Sequence, residues 1–126
     1  MLTYEHIADR LVQEVPEFSS VLHGHVTDYH EVLPHVLFGD LTRFVLHAHQ
    51  QGDEELVGRC LTFLAIAMKS ADTRVRELVA VSFVENVGPW DPATADFIAS
   101  WPDALRDEAT EQGRRSSDQD SGWPTE

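Results

Sequence analysis

Cysteine is almost absent from this chain, which contains only Cys60. A single thiol excludes an intramolecular disulfide and a metal site built from several thiolates. Because Cys60 lies within an apolar helical pattern, we expect it to be a small buried hydrophobic residue. Long hydrophobic runs are also missing, since no segment approaches the ~20 apolar residues of a membrane span, and the N-terminus does not resemble a signal peptide. The sequence therefore predicts a cytoplasmic protein.

Basic residues are also few in this chain. The chain has 9 lysines and arginines against 22 aspartates and glutamates, for a net charge of −13. Residues 1–42 carry a net −6 and residues 91–112 a net −5, whereas residues 43–90 carry only −1. Such a surface repels nucleic acid phosphates and anionic lipid headgroups, so we predict neither nucleic acid nor membrane as a partner. It attracts basic proteins, although solubility alone is an alternative explanation for the acidity.

Catalytic motifs are missing as well. The chain has no nucleophile elbow, no phosphate-binding glycine loop, no dinucleotide fingerprint and no zinc-binding HExxH. We predict a protein that is not an enzyme and has no cofactor or catalytic residue. Seven histidines suggest a metal at first, but histidines two apart on a helix point about 200° from one another and cannot share an ion. We therefore predict no native metal site, and histidine-dependent ligand or metal binding stays as an alternative.

Helical periodicity is the clearest positive feature, and it is strongest from Leu33 to Ala48. Pro34 suits the first turn of a helix, where its missing N–H has no partner to lose. The apolar residues of this helix recur on one face: Leu37, Leu41, Phe44, Val45 and Ala48. Asp40, Arg43 and His47 fall on another face. A surface ion pair between Asp40 and Arg43 is the simplest explanation of these two charges.

The remaining helices follow from caps, breakers and apolar spacing. Helices are predicted at about 3–14, 17–31, 54–70, 73–87, 92–100 and 102–112, with Thr3, Asp53, Asp72 or Thr73, and Asp91 as caps. Tyr29 is expected on an inward stripe, and the apolar block 63–68 is expected to be buried on more than one side. The predicted fold is all-α, a compact bundle of six to seven short helices arranged as orthogonal or HEAT-like pairs. Residues 1–112 form a single domain in this prediction, and residues 113–126 a disordered tail.

Three segments carry a resemblance: LPHVLFGDLTRFV (33–45), LVAVSFVENV (78–87) and the P-x-A-L-R-D-E stretch (102–108). Together they resemble a group of small, acidic, all-helical bacterial proteins of uncharacterised function, whose members resemble the immunity proteins of secreted polymorphic toxins. The resemblance implies a helical fold and a protein-binding role. It points to polar positions of these segments as candidate partner-binding residues: Asp40, Arg43, Glu77, Glu85 and Asn86.

The functional prediction combines charge and resemblance. Exposed carboxylates at Asp28, Glu31 and Asp40 are expected to face a basic partner, with Glu77 and Glu85 as a second set. We predict a non-enzymatic, immunity-type inhibitor that neutralises a basic toxin through an acidic surface. The alternatives are an acidic helical adaptor or regulatory protein without a toxin partner, and the histidine-dependent binder. Asn86 has a structural alternative too, since near a helix end its side chain can bond backbone carbonyls.

Overall fold

The fold was examined in a computed structural model, which describes residues 2–122 and the side chains of residues 2–115. Seven helices span this part of the chain, and it contains no β-strand. They are α1 (Ile7–Glu14), α2 (Ser19–Tyr29), α3 (Pro34–Gln50), α4 (Glu54–Ala67), α5 (73–87), α6 (Ala95–Ala99) and α7 (Asp103–Gly122). Short 3-10 turns precede α1, α2 and α6, at Tyr4–His6, Pro16–Phe18 and Pro92–Thr94. The prediction of an all-α fold with six to seven helices is confirmed.

Three predicted aspartate caps begin helices as expected. Asp53 accepts a hydrogen bond from the Leu56 N–H, Asp72 from that of Arg74, and Asp91 from that of Ala93. Each carboxylate satisfies a backbone donor that has no partner inside its helix. Asp72 also accepts from the Tyr4 N–H at 2.9 Å, so it joins the start of the chain to α5.

The core lies around α3 and α4. Helix α3 packs against α2, α4 and α5, while α4 packs against α1, α3, α5 and α7. The predicted apolar stripe of α3 faces this core, with Leu37, Leu41 and Val45 fully buried. An aromatic group joins α5 and α6, where the Trp101 ring centroid lies 5.6 Å from that of Phe83 and 5.5 Å from that of Phe97.

Helix α5 contains a π-helical segment. Its first part, Thr73–Val79, is α-helical, the next five residues, Ala80–Val84, are π-helical, and Glu85–Val87 return to α-helix. A π segment widens the turn and often accompanies a functional feature in a helix. Here it faces α3, so the irregularity lies within the main helix–helix contact.

Three local predictions were wrong. Tyr29 is 46% exposed rather than inward, because it is the last residue of α2 and the chain turns away at His30, whose φ is 63°. Ile66 is 58% exposed, since the neighbours of α4 leave one of its sides open. Thr3 stands at the start of the first 3-10 turn, but its side chain makes no capping hydrogen bond.

The last helix is longer than the sequence suggested. We expected it to end near Gln112, and α7 continues to Gly122. The division into a domain at 1–112 and a tail at 113–126 stays a prediction, and Trp123 lies outside the described residues. Among the helices of residues 2–122, none combines the length and the apolar character that crossing a membrane requires.

Candidate functional site

The connection between α2 and α3 exposes an unusual number of apolar side chains. We call residues 26–36 the α2–α3 corner. Four large apolar residues in it are between 39% and 46% exposed: Val26, Tyr29, Val32 and Val36. Clustered exposed apolar residues, unlike scattered ones, are typical of surfaces that bind another molecule.

Two of the predicted binding residues lie in the same corner. Asp28 and Glu31 are exposed and alternate in sequence with the apolar residues. Neither forms an ion pair with any residue whose side chain the structure describes. The corner therefore combines apolar surface with two negative charges that pair with no cation among the described side chains.

Hydrogen bonds fix the backbone of this corner. His30 adopts a left-handed conformation and donates its N–H to the carbonyl of Val26 at 2.7 Å. The buried ring of His25 accepts the N–H of Leu33 through Nε2 at 2.9 Å, so neutral His25 carries its proton on Nδ1. Pro34 then begins α3. Because this backbone is already fixed, the segment that carries Tyr29 and the two carboxylates loses little conformational entropy when a partner binds.

Three other predicted residues lie on α3 and α5. Asp40 and Arg43 form the predicted ion pair on α3, and this prediction is confirmed. Asn86 lies on the facing part of α5, with its Nδ2 donating to the carbonyl of Ser82 at 2.7 Å. The Asn86 side chain therefore bonds a backbone carbonyl, as its structural alternative predicts.

A polar cluster at the π segment escaped the sequence analysis. His35 Nδ1 lies 2.5 Å from Ser82 Oγ, and Thr42 Oγ1 donates to the carbonyls of Phe38 and Ser82 at 2.9 and 3.0 Å. A serine beside an imidazole is the pairing that nucleophilic catalysis uses. However, Ser82 is only 5% exposed, which leaves a substrate no approach to its hydroxyl. The cluster thus joins α3 to α5, and 47 residues separate its two key members in sequence.

The last two predicted residues lie apart on α5. Glu77 is exposed in its first turns. Glu85 lines a groove of 560 Å³ between α5 and α7, together with Trp90 and Glu108. We call this the Trp90 groove. The structure therefore places Asp28 and Glu31 in the corner, and the other five candidates on α3, on α5 and in this groove, and does not bring the seven into one site.

A family model described as a domain of unknown function, DUF7674, matches residues 8–115. The chain belongs to the DUF7674 family. The match takes in the corner, the π segment and the Trp90 groove, so all three are parts of a DUF7674 domain. Comparisons with curated proteins and with solved structures found no match.

A second groove of this DUF7674 domain lies between α1 and α4 and has a volume of 440 Å³. At its edge, the Arg59 guanidinium binds Glu17, with Nη1 2.8 Å from Oε1, and also Glu55. The hydrogen bond from Arg59 lowers the pKa of Glu17 from 4.5 to about 2, and the pKa of Arg59 is raised in turn. The charges of this edge are already paired, in contrast to those of the corner.

Metal-binding side chains are dispersed in the DUF7674 domain. Within the described side chains, no three of histidine, cysteine, aspartate and glutamate lie close enough together to hold an ion. Individual histidines make structural contacts instead: the His49 ring stacks on Phe97 with centroids 4.1 Å apart. Cys60 is buried as predicted, and burial raises the pKa of its thiol to about 12.

Proposed function

We propose that this DUF7674 domain is a non-enzymatic protein-binding module of the cytoplasm that takes a basic protein partner on the α2–α3 corner. The observation that carries the proposal is the combination found there. Exposed apolar side chains lie among carboxylates that have no cation of their own within the described residues, on a backbone fixed by hydrogen bonds. A basic surface with an apolar centre is the complement of such a patch.

Tyr29 is suited to the centre of this interface. Aromatic residues with a polar tip are enriched where proteins bind one another, because they bury a large area with few rotatable bonds. The ring of Tyr29 lies 4.9 Å from that of His25. Because His25 is buried and accepts a hydrogen bond from the Leu33 N–H, the Tyr29 ring packs against a side chain whose own position is fixed. Asp28 and Glu31 then form the charged rim that steers a basic partner toward the ring.

We further propose that the partner is a basic toxin domain and that the protein acts as an immunity-type inhibitor. The resemblance of the three sequence segments and the net charge of −13 support this finer proposal. An acidic inhibitor that covers a cationic cleft associates rapidly with the toxin and so protects the cell. An adaptor or regulatory role with the same surface, without a toxin, is the competing account.

The test of the corner uses binding kinetics with the C-terminal domain of the protein encoded immediately upstream. The variant Asp28→Asn/Glu31→Gln should slow association roughly three- to tenfold at low salt, because rim charges act mainly on the on-rate. Its matched control is Asp9→Asn/Asp96→Asn, which removes two other exposed, unpaired charges and should change association much less. Tyr29→Ala should instead accelerate dissociation. Equal effects of the two charge variants would refute the corner as the binding surface.

Cell protection separates the toxin proposal from the adaptor account. Co-expression with the upstream domain should restore growth if the domain is toxic and this protein neutralises it. If the wild-type protein restores growth and the Tyr29→Ala variant does not, protection depends on the corner. If the upstream product is neither toxic nor bound, the immunity proposal fails and the adaptor becomes the better account.

A further inference from the structure

Trp90 presents its ring to solvent from a loop that is held in place. The side chain is 54% exposed, although it lies three residues after Val87, the buried last residue of α5. The loop turns at Gly88, whose φ of 86° favours glycine, and the Gly88 carbonyl accepts from the Thr94 hydroxyl at 2.8 Å and the Asp91 N–H at 3.0 Å. The backbone that carries the exposed indole is therefore held by these hydrogen bonds.

The charged residues that line the Trp90 groove are two glutamates and one arginine. Glu85 of α5 forms no ion pair with the described residues, and it lines the groove together with the half-exposed side chain of Val81. On the opposite wall Glu108 accepts from Gln112 at 2.8 Å and lies 3.4 Å from the Arg115 guanidinium. One carboxylate of the groove thus already has a guanidinium beside it, while the other is open.

We propose that the Trp90 groove binds an arginine side chain of the basic partner. The guanidinium plane lies on the indole, an arrangement that arginine favours, and pairs with Glu85. The aliphatic part of the arginine packs on Val81. An apolar occupant would leave the Glu85 carboxylate buried without a partner, and a nucleotide phosphate would be repelled by Glu85, which forms no ion pair with the described residues. The proposal rests on the proposed function only in assigning the arginine to that basic partner.

The test needs no partner protein. The full chain, labelled with ¹⁵N, is titrated with N-acetyl-arginine amide, and the indole N–H signal of Trp90 is assigned from its absence in Trp90→Phe. We expect a saturable shift of this signal. N-acetyl-citrulline amide has the same shape without the charge and should give none.

Two variants decide whether Glu85 is the anion. Glu85→Gln should weaken the binding of N-acetyl-arginine amide roughly two- to fivefold, as expected for an ion pair at a protein surface. Asp107→Asn, an exposed carboxylate on α7 outside the groove, should leave it unchanged. The corner variant Asp28→Asn/Glu31→Gln should also leave it unchanged, so that failure of the groove and failure of the corner are separate results. Overturning results are the absence of a shift, an equal shift with the citrulline amide, or equal weakening by Glu85→Gln and Asp107→Asn.

Discussion

The Ser82 carbonyl in the π segment should couple Thr42 and Asn86 energetically. Thr42 Oγ1 reaches it from α3 at 3.0 Å and Asn86 Nδ2 from the next turn of α5 at 2.7 Å. Thr42→Val keeps the shape of the side chain and removes one donor, at a cost of about 0.5–1.5 kcal/mol in unfolding free energy. Asn86→Ala removes the other donor at a similar cost. Each single variant leaves one side-chain donor, whereas the double variant leaves neither.

The double variant should therefore cost more than the sum of the two single variants. Groups that share one hydrogen-bonded partner couple by about 0.5–3 kcal/mol. The measurement is urea unfolding followed by circular dichroism for the four proteins of the cycle. Thr27→Val is the matched control, because the exposed Thr27 hydroxyl bonds only the carbonyl of His23, on α2. Its cycle with Asn86→Ala should be additive within about 0.5 kcal/mol. Additivity in the Thr42 cycle as well would refute the shared-acceptor account and return Asn86 to the list of binding residues.

Three further predictions concern the core, the Arg59 ion pairs and the thiol. Leu41→Asp should abolish cooperative thermal unfolding because it buries an unpaired charge, while the neighbouring Asp40→Ala should change stability by less than about 0.5 kcal/mol. The pKa of Glu17 is lowered to about 2 by Arg59, so its stabilisation is present above pH 4.5 and is lost as the pH falls toward 2. Glu17→Gln should then lower the urea midpoint at pH 7, and its difference from the wild type should disappear as the pH falls through about 2. Cys60, whose thiol pKa is raised to about 12 by burial, should react with a disulfide reagent at pH 8 only as the protein unfolds; rapid reaction of the folded protein would contradict its burial.

Local signals in the sequence located the helices well. The caps at Asp53, Asp72 and Asp91 depend on backbone groups two or three residues away, so a short stretch of sequence contains all that they require. Tyr29 shows the limit of such reasoning. Its spacing placed it on the apolar stripe of α2, but whether another helix covers that position depends on where the chain turns next.

The candidate sites were harder to predict than the fold. Charge alone points to Asp28 and Glu31, whereas the exposure of the apolar residues beside them depends on where the chain leaves α2 and enters α3, since Tyr29 ends α2 and Val32 lies between the two helices. The contact of His35 with Ser82 joins residues 47 positions apart and follows only from the packing of α3 on α5. The Trp90 groove likewise needs α5 and α7 side by side. Only Glu85 had been singled out from its lining.

One signal of the π segment was present in the sequence. Val75, Val79, Phe83 and Val87 recur at a strict spacing of four and are all buried. On a regular α-helix residues four apart drift by about 40° per step, so a stripe of this kind leaves the core face within a few turns. The wider turn of a π segment reduces the rotation per residue and keeps the stripe facing inward. The spacing of four therefore matches the irregular helix better than a regular one.

The π segment also makes α5 tolerant of the loss of a single codon. Such a segment holds one residue more than a regular α-helix needs, so the turns before and after it keep the register of a regular helix. Loss of the codon for exposed Val81 would restore a regular helix and leave the side chains beyond it facing as they do now. Phe83 and Val87 would stay in the core, and Glu85 would stay in the Trp90 groove. In descendants of this gene, we expect an in-frame deletion at this position to leave both the core and the groove in place.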